Sequence, residues 1–145
     1  MAVYRSMDIG TATPTAIERD EVPHHLVDLV DPSEEFTVSM FQAAALGVLE
    51  DLDRRRCRAV LVGGTGLHVR AVVDELDIPP RFPEVRADLE AEPDTAALHR
   101  RLAELDPEGA GRMEPTNRRR ILRALEVTLG AGRPFSFFGP GLGVY

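Results

Sequence analysis

Lysine is absent from this 145-residue sequence, and all 17 of its basic residues are arginine. A phosphate-binding loop of the Walker A kind needs a lysine, so none can lie within these residues. Cysteine is almost as scarce. Cys57 stands alone, which excludes an internal disulfide and any multi-cysteine metal site. The four histidines are spread out, with only His24 and His25 adjacent, so no zinc site is expected. No apolar run approaches the ~20 residues that cross a bilayer. The polar sequence after Met1-Ala2-Val3-Tyr4-Arg5 does not predict a secretory signal. The expectation is a cytoplasmic globular protein, one domain or a piece of a larger one, with 43% apolar residues to build a core.

A net charge of −7 argues against indiscriminate binding of nucleic acid. The charge is unevenly placed, however. Residues 18–35 carry seven acids against Arg19 alone, whereas residues 112–123 carry Arg112, Arg118, Arg119, Arg120 and Arg123 against Glu114 alone. Such a basic face can grip phosphates, or it can simply be the solvated side of a helix.

Along the chain, residues 26–30 (LVDLV) predict a short buried strand that ends at Asp31-Pro32. Thr37 or Ser39 then caps a helix with apolar positions at Met40, Phe41, Ala44, Leu46, Val48, Leu49 and Leu52, closed by Arg54-Arg55-Arg56. Residues 59–62 predict a second strand, with Cys57 a partly buried thiol at its edge; 63–66 predict a loop and 67–73 a helix. That alternation predicts an α/β fold with a parallel sheet.

Past IPPRFP (78–83) the pattern turns helical: 83–90, 94–105, a turn near 108–113, and a longer helix capped at Thr116 or Asn117. Gly130 and Gly132 are expected to close that helix. The expected organisation is a partial α/β core over 1–77, a mainly helical section over 78–135, and a tail over 136–145.

The loop GGTG carries the first chemical signal. Gly63, Gly64 and Gly66 let backbone approach a ligand closely, and Thr65 offers a hydroxyl at the start of a helix, where an anion is favoured. Taken alone, the same four residues also suit an ordinary strand-to-helix turn.

Four blocks, in order, resemble the tRNA dimethylallyltransferases, the isopentenyl pyrophosphate:tRNA transferase family. MAVYRSMDIGTATPT is similar to the family's M-x-V-Y-R-G-M-D-I-G-T-A-K-P run. PHHLVDLVDP at 23–32, LVGGTGLHVRA at 61–71 and LDPEGAGRMEPTNRRRILRALEV at 105–127 match its later blocks, and Phe41 falls in its intervening helix. The resemblance implies a P-loop-kinase-like sheet with a helical tRNA-engaging section. It implies transfer of a dimethylallyl group from dimethylallyl diphosphate to the exocyclic amine of the adenosine beside the anticodon, with Mg²⁺ as cofactor.

Under that resemblance Gly63, Gly64, Thr65 and Gly66 bind the diphosphate, with Thr65 the catalytic residue where it meets the tRNA. Met1, Ala2, Arg86, Arg119, Arg120, Ile121, Leu122 and Arg123 contact tRNA. The complete enzyme is expected to be a monomer with no membrane contact. The family's catalytic Asp-Ser and its P-loop are expected upstream of Met1, and further helices downstream, so this chain is expected to be an incomplete and inactive copy. Departures are small: Ser6 and Asp74 replace glycines, His68 replaces a tyrosine, and Thr116-Asn117 replaces Asn-Asp. His68 is expected to pack rather than to act as a base. Two alternatives stand beside this reading, an adenylate isopentenyltransferase acting on free nucleotide and a non-catalytic RNA-binding remnant.

Overall fold

A computed structural model describes residues 1–139. The chain divides into two compact units, Met1–Leu76 and a second beginning at Asp77.

In the first unit, Thr15 caps α1 (Ala16–Glu21) in a reciprocal capping box with Glu18. Thr37 caps α2 (Val38–Arg54) by accepting the Met40 amide, as its sequence position predicts. The helix ends where Arg54 and Arg55 both pair with Asp51. Helix α3 (Gly66–Val73) packs on α2, burying Ala45, Ala71 and Val72. Gln42 of α2 fastens this contact by donating to the carbonyls of Ala71 at 2.6 Å and Leu76 at 3.0 Å.

The parallel sheet expected from the sequence is not formed among the described residues. Positive φ angles at Leu26 (60°) and Asp28 (54°) break the first predicted strand. What remains is a single parallel bridge between Tyr4 and Val30, supported by bonds from the Leu29 amide to Val3 and from the Arg5 amide to Val30. Residues 59–62 form no regular element and pair with no strand among the described residues, with Val60 86% and Val62 87% exposed. β-Branched residues favour a strand only when neighbouring strands cover both faces and pair the backbone. None among the described residues does so here. For the same reason Cys57 is an exposed thiol instead of a partly buried one.

The second unit is helical throughout its described length, with α4 (Pro83–Glu90), α5 (Thr95–Leu105), α6 (Pro107–Gly111), α7 (Arg118–Ala131) and a 3₁₀ turn (Phe135–Phe138). The region near 108–113, expected as a turn, contains most of the short helix α6. Its core joins Leu89, Leu98, Leu102, Ala110, Ile121, Leu122, Ala124 and Leu125. Each large aliphatic side chain buried this way contributes roughly 1.5–3 kcal/mol. Helix α7 lies at the centre, packed on α4, α5 and the 3₁₀ turn. Its apolar stripe at Ile121, Leu122, Leu125 and Val127 explains why this stretch is a helix and why it is buried.

Gly132 closes α7 in the left-handed conformation (φ 65°). Gly130, expected to share that task, sits inside the helix. A methyl group there would overlap the Phe82 ring. The expected tail begins in the 3₁₀ turn, and its residues 140–145 lie outside the described residues.

Asp106 anchors that turn. It caps α6 by accepting the Gly109 amide at 2.8 Å, and it accepts both the amide (2.8 Å) and hydroxyl (2.7 Å) of Ser136. The carboxylate is 1% exposed. Burial pushes its pKa upward, but the bonds from Gly109 and Ser136 outweigh burial and hold it below the ordinary value of 3.8.

Candidate functional site

Two places answer to the predicted sites, one in each unit. In the first unit Thr65 is the N-cap of α3, yet its hydroxyl makes no capping bond and the residue is exposed. The helix therefore opens without a side-chain cap: among the described residues the Gly66 and Leu67 amides and the Thr65 hydroxyl have no partner, while the His68 amide is taken by the Thr65 carbonyl at 3.0 Å. Gly63, Gly64 and Gly66 do not need glycine for backbone reasons, since none has a positive φ. A side chain at any of them would meet open space. Nothing among the described residues requires this trio; an approaching ligand would.

His68, one turn into α3, lies edge-on to Phe41 with ring centroids 4.9 Å apart. Its Nδ1 is buried and has no hydrogen-bond partner among the described residues. That is a packing position, as expected. Met1 and Ala2 belong to the paired segment: the Ala2 carbonyl accepts the Asp28 amide at 2.9 Å, while Met1 is exposed.

In the second unit, α7 opens with Arg118, Arg119 and Arg120, and Asn117 caps it by accepting the Arg120 amide. Three cations in a first turn oppose the helix dipole, which favours acids there by about 0.3–1 kcal/mol each. The structure resolves the purpose of one of them. Arg118 donates to the carbonyls of Glu90 (3.3 Å), Glu92 (2.6 Å) and Pro93 (3.4 Å), so it ties down the last residue of α4 and the connection that leads to α5. Arg119 and Arg120 are exposed, and among the described residues no hydrogen bond or ion pair engages either guanidinium group. Their unfavourable placement is unexplained by the fold and would be reversed by a bound anion.

The other predicted contacts divide differently. Ile121 (0% exposed) and Leu122 (3%) face the core, so their side chains are not available to a partner. Their burial follows from helix geometry: residues one and two positions past Arg120 turn onto the buried stripe. Arg123 donates to the carbonyls of Pro79 (2.7 Å) and Pro80 (3.2 Å) and to Glu126 (2.8 Å). Arg86 pairs with Glu90 at 2.7 Å and faces Glu126 at 3.9 Å. Among the described residues no three His, Cys, Asp or Glu side chains form a group that could hold a metal ion.

The family described as IPP transferase matches residues 2–141. The chain belongs to the IPP transferase family. The tRNA dimethylallyltransferase of Kineococcus radiotolerans is 52% identical over 94% of this chain and 44% of its own length. The tRNA dimethylallyltransferase 1 of Citrifermentans bemidjiense is 48% identical over 95% and 45%. Among solved structures, the tRNA isopentenylpyrophosphate transferase of Bacillus halodurans aligns with a TM-score of 0.51 at 43% identity, covering 93% of this chain and 46% of that one. A eukaryotic dimethylallyltransferase acting on tRNA aligns with a TM-score of 0.78 at 27% identity, covering 92% and 34%. The chain thus spans less than half the length of these IPP transferase relatives.

Sequence reasoning missed Glu126 as a member of this face. The signal was there: an acid inside the apolar stripe of α7, three residues after an arginine. Phe82 and Gly130 gave no signal, because their relation exists only across two elements.

Proposed function

We propose that this chain forms part of a tRNA dimethylallyltransferase, which transfers a dimethylallyl group from its diphosphate to N6 of the adenosine beside the anticodon of tRNA. The amine attacks the allylic carbon, the carbon–oxygen bond breaks, diphosphate departs with its electron pair, and the alkylated nitrogen gives up a proton to a general base or to water. The Thr65 hydroxyl and the first amides of α3 donate to the departing oxygens, where preorganised donors lower the barrier most. The open glycine trio lets the diphosphate reach that backbone. Arg119 and Arg120 take tRNA phosphates, a task that guanidinium groups perform with two parallel bonds each. A free nucleotide needs no such outlying cations, so the adenylate acceptor is not favoured.

The observation that carries this reading is the free Thr65 hydroxyl at the mouth of α3, beside glycines that the fold does not require. The test is a chimaera in which residues 2–141 replace the matched part of the Kineococcus radiotolerans relative. Thr65→Ala in that chimaera is expected to lower turnover by on the order of tenfold or more. Its melting temperature should stay unchanged. Full turnover by the variant would reduce the loop to a turn.

A further inference from the structure

Glu126 takes part in none of the steps above, yet it is a carboxylate 5% exposed on the core side of α7. One oxygen accepts the Phe82 amide at 2.9 Å and Arg123 Nη1 at 2.8 Å, and the other stands 3.9 Å from Arg86 Nη1. Arg123 extends the linkage by donating to the Pro79 and Pro80 carbonyls. One negative charge therefore ties together α7, the connector 79–82 and α4. Well-packed apolar residues usually stabilise such a position as much as a buried ion pair does, because removing charges from water is costly. Stability alone does not explain this cluster.

We propose that Glu126 is a positioning residue of the RNA-facing surface, fixing Arg86 of α4 relative to Arg119 and Arg120 of α7. The proposal rests on the tRNA reading given above. Phosphates of a folded RNA stand at set spacings, whereas those of a flexible strand adjust to any array of cations. A surface whose cations are held by a buried clamp discriminates between the two; one whose cations move freely does not.

The sign of the effect separates this role from bulk electrostatics. Removing one acid from a chain of net charge −7 should tighten binding to any polyanion. Positioning predicts the reverse for folded RNA. Glu126→Gln keeps the shape and an acceptor for the Phe82 amide while deleting the charge. The chimaera described above and its Glu126→Gln variant are titrated with a labelled synthetic anticodon stem-loop, and with an unpaired RNA of equal length, by fluorescence anisotropy. The expected result is a stem-loop affinity lower by about tenfold, the worth of one charge-assisted hydrogen bond. The unpaired RNA should bind equally well or slightly better.

Glu126→Met serves as the companion variant, since an apolar side chain can keep the core packed without the charge. It leaves the Phe82 amide and the Arg123 guanidinium without their acceptor, so it should melt below Glu126→Gln, and where it stays folded it should still lose stem-loop preference. Stem-loop affinity retained or raised in a folded variant overturns the role of Glu126. Failure of the unaltered chimaera to bind the stem-loop overturns the tRNA reading itself, and this assignment with it.

Discussion

Replacing Gly130 by alanine should destabilise the helical unit, against the ordinary rule for a glycine inside a helix. Alanine there normally gains about 1 kcal/mol from backbone entropy and helix propensity. At this position the new methyl group would overlap three atoms of the Phe82 ring. The ring cannot simply withdraw. Its own amide is held by Glu126, and the two residues before Arg81 are held by Arg123. Overpacking of this kind costs about 1–3 kcal/mol, so it cancels the propensity gain and leaves a net loss of up to ~2 kcal/mol. Urea denaturation followed by far-ultraviolet circular dichroism measures it. The decisive control is Phe82→Ala, which empties the space the methyl group would occupy. In that background Gly130→Ala should become stabilising, by roughly 0.5–1 kcal/mol. If Gly130→Ala stabilises the unaltered chain, Phe82 does not pack where the structure has it, and the clamp argument loses its anchor.

Asp106 makes stability depend on acid. Its pKa is lower folded than unfolded, so its contribution is fully present above the ordinary carboxylate value and is lost as pH falls through the folded value. Asp106→Asn should cost about 1–3 kcal/mol at neutral pH. It should also flatten the stability profile below about pH 4 relative to the unaltered chain, measured by urea titration at several pH values. Glu18, Asp31 and Asp94 are shifted the same way by their own hydrogen bonds, so the comparison with the variant isolates Asp106. Arg119→Gln and Arg120→Gln should each reduce the salt slope of stem-loop binding by about one unit, with little change in melting. Arg118→Gln should behave oppositely, lowering the melting temperature, because its guanidinium serves carbonyls of the fold. An unchanged salt slope in both exposed-arginine variants would return that pair to an ordinary solvated face.

The order of its motifs made the family legible in the sequence, and local chemistry made most helices legible too. Thr37 and Asn117 cap the helices that their positions announced, because a cap needs only a side chain and the amides two or three residues on. The shift to helices after IPPRFP is equally local. The strands are another matter. LVDLV and AVLV have the right residues, but a strand is completed by neighbours distant in sequence, and without them 59–62 stays open and 26–30 bends through two positive φ angles.

The arginine face shows the same division. That residues 118–123 are basic and helical follows from composition and spacing alone. Which arginines remain free was decided by the fold, because Arg118 and Arg123 reach carbonyls 25 or more residues away in the chain. Ile121 and Leu122 were drawn into the core by the same packing. Side-chain identity sets what a residue can bind, and only the position of the other elements determines whether that capacity is already used.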